Sequence, residues 1–455
     1  MPANPSPGAG PGAPAFPPAT PPTAADDARP RFDGPTPTTA QVEARIATFL
    51  ASPDANLAAL LAIDMAHHGD RRWVPYMVDL LAVIGDDPAN GQVMVALQAL
   101  TGELVINDPQ VARITFGSWM LRERPDPGPG YLAWKRTLFA RFDPALAAHL
   151  AVVTSPTLMS ELQWASAKPD GLVALDRPRR EPMAGATWAT PDELVFGVVV
   201  DGVAVAYPER LLARHEVADD VVGATPVVVA YSPLCHAVAA FAAGDQRFHA
   251  TGLARDAAKL LVDDATGSLW GPLSGRALAG PAEGQVLAPV AVETRTWSDW
   301  LAAHPASEVV ALPARGEIGG QAYDYLPGVA YAAYDAGSEL AFPARNPPRG
   351  IAAKADVATL LGPDGGAFAV DAEALARRGP MVLAVSWGRV LAVPAPEGAR
   401  FYAVDDDAVG PAGVSAVDLT GATTADGVRH ALLAGGRATW FSWYAEHPAT
   451  DWWPR

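Results

Sequence analysis

Cysteine is almost missing from this chain: one residue, Cys235, in 455. No disulfide can close within it, and no cysteine-rich zinc cage can be assembled. Long apolar runs are also lacking, so no membrane-spanning helix is expected. The start, MPANPSPGAGPGAPAFPPATPPTAADD, has neither a basic region nor an apolar stretch of secretory length, and a cytoplasmic address is the expectation. Positive charge is scarce, with 33 Lys and Arg against 50 Asp and Glu, for a net charge of −17. Such a surface repels phosphate backbones and anionic lipid heads, so neither nucleic acid nor membrane is an expected partner. No GxGxxG, P-loop or GxSxG pattern stands between a strand and a helix, which leaves nucleotide binding and serine hydrolysis unsupported. No histidine pair at helical spacing and no ligand triplet points to a metal, and no metal site is expected.

What is present is half hydrophobic and only 18% charged, ample for buried cores. The 44 prolines and 41 glycines imply many turns and short elements. Residues 1–37 hold 12 of those prolines with few large apolar side chains, and read as a disordered tail. Over 38–160 the pattern is helical. Thr38 and Gln41 fit a capping box, and Ser52-Pro53, Asp87-Pro88, Asp108-Pro109 and Asp143-Pro144 each place an N-cap acceptor before a first-turn proline. Helix starts about 20 residues apart suggest either stacked HEAT-like pairs or an ordinary small bundle.

Residues 161–455 read as β-rich. Leu194 to Val200 and Val203 to Tyr207 flank Asp201-Gly202, a strong hairpin signal, and Pro208 opens a short helix. Pro226 to Tyr231 reads as a buried strand that delivers Ser232-Pro233-Leu234-Cys235-His236 at its end. The region echoes itself. VDGVAVAYPERLLARH resembles PDGGAFAVDAEALARR from Pro363, PVVVAYS resembles PMVLAVS from Pro380, and the Thr-Trp-x-x-Trp run at Thr296 recurs at Thr439. The fold class expected is therefore α+β: an all-α HEAT-like region, then a duplicated mixed α/β domain with lobes at about 161–310 and 340–455.

Cys235 follows a strand and a turn, where α/β units present functional groups, although lone cysteines usually pack as small hydrophobes. His215-Glu216 with Asp219-Asp220 reads as an acid/base group or as a solvated loop at a helix end.

These segments, with DDATGSLWGPLSGRALAGP and TWSDWLAAHP, resemble the domain-of-unknown-function 3179 family from about Gly171 to the final WFSWYAEHPAT. Members typically carry Tyr-Cys-Pro-Leu-Cys, and some are described as selenoproteins, which implies thiol or selenol redox chemistry. By position, Tyr231, Pro233, Leu234, Cys235, His215, Glu216, Asp220 and Thr266 to Trp270 match the pattern. Ser232 replaces the first cysteine, and Gly271-Pro272 replace the expected Ser-Gln.

Two functions follow. One is a thiol-based redox enzyme with Cys235 as nucleophile, Ser232 donating to its thiolate, His215 lowering its pKa and an external thiol resolving it. Glu216, Asp220, Tyr231 and Trp270 would then be binding residues around one pocket shared by His215 and Cys235. The other is a non-catalytic module with a degenerate site that binds a protein or a small molecule. Neither names a cofactor.

Overall fold

The computed structural model describes residues 34–454, apart from residues 86, 106–107, 166–168, 315, 319, 321–322, 346–349, 363–365, 405–413, 418–420, 425–426 and 434. The expected Pro-rich tail lies, up to residue 33, outside the described residues. The chain is α+β: helices occupy Thr39 to Glu161, and a β-rich region of several sheets follows.

The first helix, Thr39–Ala51, starts with the capping box read from Thr38 and Gln41. Asp108 and Asp143 cap their helices as expected, Asp108 accepting from the Gln110 and Val111 N–H groups and Asp143 from the Ala145 N–H, just past a first-turn proline. Ser52-Pro53 does not: Ser52 ends the first helix, and Asp54 caps Ala55–His68 by accepting from the Leu57 N–H at 2.9 Å. Asp87 forms a turn ahead of Asn90–Thr101, whose N-cap is Ala89. Where two cap-competent residues lie close together, the one whose backbone is extended at the first turn takes the role.

The helical core contains a buried ion pair. Lys135 meets Asp79 at 2.9 Å, and Asp79 also accepts from the Tyr131 hydroxyl and the Trp134 indole N–H. Every charge there has a partner, which offsets desolvation. The same core continues onto Leu253, Leu260, Leu269 and Ala279, so the helices rest on the first β-sheet and not beside it.

That sheet runs in the order Gln163–Trp164, Phe248–Arg255, Ala258–Asp263, Leu269–Trp270, Ala277–Ala279. A second sheet holds the meander Val217–Val222, Thr225–Ser232 and Ala237–Ala242, and a third holds Leu194–Val200, Val203–Pro208, Val292–Thr296 and Glu308–Val310. The meander sheet lies between the other two. Val227, Val229 and Tyr231 pack toward the third sheet, while Val228 and Ala230 face the first. This explains an apolar run without polar alternation: both faces are covered. The hairpin at Asp201-Gly202 forms as read, both residues at positive φ (53° and 77°), as a type I′ turn demands.

Farther along the chain the same order of pairings recurs. Val292–Thr296 pairs antiparallel with Leu194–Val200, which pairs with Val203–Pro208, which runs parallel to Glu308–Val310. Gly435–Thr439, Asp356–Leu361, Ala367–Asp371 and Asp451–Trp453 repeat that arrangement. Each set has a short helix after its second strand, Glu209–His215 and Ala372–Arg378, and then a three-stranded meander. In that meander the counterpart of Thr225–Ser232 is Gly388–Ala395; Met381–Val385, which its sequence echoes, stands where Val217–Val222 does. Local resemblance between valine-rich strands misplaced it by one strand.

Candidate functional site

Cys235 lies at the junction of the two lobes. The hairpin that carries it closes with Ser232 opposite Ala237, and the loop Pro233 to His236 reaches into a core shared with the second lobe. The sulfur is fully buried among Leu234, Ala254, Tyr334, Val357, Trp440 and Phe441. Backbone bonds fix it: the Cys235 carbonyl accepts from the Thr439 N–H at 2.7 Å. Burial pushes the thiol up to about 12, against the hydrogen bonds from Ser232 and Ser442 that favour the thiolate; Glu446 and Glu216 push it the same way as burial. At neutral pH this group is a thiol, not a nucleophilic thiolate.

His215 does not serve it. Its Nδ1 lies 2.7 Å from the Val173 carbonyl and its Nε2 2.8 Å from the Tyr325 hydroxyl. A carbonyl only accepts, so Nδ1 carries the proton and Nε2 accepts from Tyr325. Burial lowers the His215 pKa and keeps the ring neutral. The expected pairing of His215 with the thiol is thus replaced by a buried tether from the helix end to Val173 and Tyr325. Trp270 is not a wall beside Cys235: it packs in another core against Phe248 and donates its indole N–H to Asp263 at 2.7 Å. With Thr266 also bonded to Asp263, the Thr-Gly-Ser-Leu-Trp segment pins a strand connection. Asp220 accepts from Tyr207 at 2.8 Å and pairs with Arg180, a buried structural contact. Tyr231 donates to Glu209 at 2.7 Å.

Glu216 does approach the junction. It caps the Glu209–His215 helix in the left-handed region and accepts from Lys259 at 2.6 Å and Tyr331 at 3.0 Å. The buried Lys259 is held charged by Glu216 and Tyr331 in spite of its desolvation.

Sequence reasoning missed the charged group next to the thiol. His236, at a positive φ of 49°, turns away from the core, with Nδ1 2.7 Å from Asp356 and Nε2 3.1 Å from Asp335. Arg437 donates to the other Asp356 oxygen at 2.8 Å. Burial would lower the His236 pKa, but the two carboxylates outweigh it and raise it to about 9. Asp356 would be raised by burial; His236 and Arg437 instead bring it down to about 2. The pair therefore works as an ionic latch between lobes and not as a general base at neutral pH. Its sequence signal was slight: a histidine beside the lone cysteine, with partners about 100 or more residues away.

Beside the latch, the two lobes enclose a cleft of about 190 Å³. Val292 to Arg295 of the first lobe form one side; Glu397, Arg400, Phe401, Leu432 and Arg437 of the second form the other. No cluster of three or more His, Cys, Asp or Glu residues able to hold a metal occurs among the described residues. Nor is any helix among them long and apolar enough to cross a membrane.

The model of a family described as a protein of unknown function, DUF3179, matches residues 169–450, well over half of the chain. The chain belongs to the DUF3179 family. No curated protein and no solved structure matches it. The DUF3179 region thus begins after the helices and includes both lobes, the Cys235 loop and the cleft.

Proposed function

We propose that this DUF3179 protein is a non-catalytic binding module whose ligand site is the cleft between its lobes, with Cys235 as packing at the junction. The observation that carries this reading is the sulfur itself, fully buried and raised to about 12 by its surroundings. A redox thiol needs the opposite, a depressed pKa and access to a partner. The redox reading keeps one support, the hydroxyls of Ser232 and Ser442 on the sulfur.

Alkylation of the native protein by iodoacetamide as a function of pH separates the two. The module reading expects Cys235 to react only after denaturation. Rapid modification of the folded chain with an apparent pKa below 8 would establish the redox alternative.

The two lobes are proposed to descend from one duplicated unit. In support, the Glu209–His215 and Ala372–Arg378 helices occupy the same place in the two pairing schemes. The Trp-x-x-Trp helices also share their side-chain bonds: Trp300 donates to Ser307 at 2.9 Å and Trp443 to Thr450 at 2.8 Å. His304 and His447 pack on those indoles with centroids 4.1 Å apart in both cases. A HEAT-like arrangement of the N-terminal helices and a cytoplasmic address belong to the same proposal, supported by the succession of capped helices and by the lack of any cysteine pair.

A further inference from the structure

The cleft between the lobes has unspent hydrogen-bonding capacity of two kinds. Arg400 donates Nε to Glu397 at 2.7 Å and Nη2 to Asp299, so the guanidinium is clamped between one residue of each lobe. Arg437 uses Nη2 on Asp356 at 2.8 Å. Each guanidinium carries further N–H groups beyond the bonds to these carboxylates. Their carboxylate partners hold the planar groups in place, which is how a protein pre-orients a fork for an oxyanion. Opposite in kind is Glu397. This residue is 7% exposed, one of its oxygens accepts from Arg400, and the other, Oε2, is buried with no partner among the described residues. An unpaired buried carboxylate oxygen is costly unless a donor reaches it.

The rest of the lining mixes apolar side chains, Val292, Phe401, Leu432 and Leu433, with Thr294 and the ion pair of Arg295 with Glu293. At about 190 Å³ the space is below the roughly 300–1,000 Å³ of pockets for drug-sized ligands. Glu397 comes from the two-residue turn Pro396-Glu397, at the place where the first lobe has its Pro233 to His236 loop.

We infer that the cleft binds a small carboxylate that also bears a hydroxyl or amino group, the carboxylate on Arg400 and Arg437 and the second group donating to Glu397 Oε2. This rests on the binding-module reading and adds the ligand class to it.

Isothermal titration of the full chain with L-lactate, glycine, acetate and ethanolamine at neutral pH tests the assignment. Lactate or glycine should give saturable heat at millimolar concentration. Acetate, which cannot donate to Glu397, should bind about tenfold more weakly, and ethanolamine, without an oxyanion, more weakly still. Arg400→Lys and Arg437→Lys keep the charge and lose the fork; each should weaken binding about tenfold with an unchanged melting temperature. A variant that melts early is replaced in the comparison by the other. No heat from lactate or glycine, acetate binding as well as lactate, or unchanged affinity in the folded variants would each overturn the inference. The reactivity of Cys235 is read separately, so a failed ligand class is distinguishable from a failed module.

Discussion

The hairpin Thr225–Ser232 with Ala237–Ala242 and its counterpart Gly388–Ala395 with Gly398–Val404 share their position in the meander and differ in their loops. The first closes at Ser232–Ala237 and sends Cys235 into the junction core and His236 to its rim. The second closes at Ala395–Gly398, and its short turn places Glu397 at the cleft. One framework thus carries two loop chemistries: an apolar plug with a cationic rim, and a carboxylate. The frameworks also differ at a central cross-strand site. Gly197 lies opposite Glu293 and Ala206; Thr359 lies opposite Gly436 and Ala369. Removing the side chain on the central strand lets the Trp300 ring settle onto Gly197, where an added Cβ would come within 2.1 Å of it. In the second lobe the glycine is on the neighbouring strand, and Trp443 stays half-buried.

The largest expected effect follows from that contrast. Trp300→Ala removes a fully buried indole and should cost about 3–5 kcal/mol, whereas Trp443→Ala should cost clearly less. Urea denaturation of both variants measures this, and equal losses would break the comparison. Gly197→Thr, which gives the first lobe the residue of the second, should overpack Trp300 and cost about 1–3 kcal/mol. The reverse change, Thr359→Gly, should cost under about 1 kcal/mol, mainly through backbone entropy. Ser307→Ala leaves the buried Trp300 N–H without its acceptor and should cost about 1–3 kcal/mol, more than Thr450→Val in the half-buried counterpart.

A small, pH-dependent effect belongs to the latch. His236 has a pKa raised to about 9 from an ordinary 6.5, so it binds its proton more tightly in the folded chain than in the unfolded one. Its contribution is complete below pH 6.5 and is lost as pH rises through about 9. Both carboxylate partners are over a third exposed, so screening holds the contribution to about 1 kcal/mol. Melting temperatures of the protein and of His236→Ala should converge above pH 9; a constant difference would show that the ring contributes packing alone.

Much of the local structure was legible. The Thr38–Gln41 capping box, the Asp108 and Asp143 caps and the Asp201-Gly202 turn depend on contacts within a few residues, and side-chain chemistry at short range is written directly in sequence. The Trp-x-x-Trp helices were legible for the same reason. Cys235 and Ser232 were singled out by position in the chain, and both do meet at the junction. Ser52 and the strand at Met381 show where short-range reading stops, since neighbouring caps and valine-rich strands are locally interchangeable.

The sequence by itself determined the short elements, their turns and the family, because each rests on residue types at fixed nearby spacing. Only the tertiary structure decided what the singled-out residues do. It engages His215 with Val173 and Tyr325, places Trp270 in a separate core, and gathers His236, Asp335, Asp356 and Arg437 from three distant stretches of chain. The protonation state of Cys235 likewise depends on desolvation by the second lobe, and burial by residues about 100 to 200 positions away leaves no trace in the local pattern.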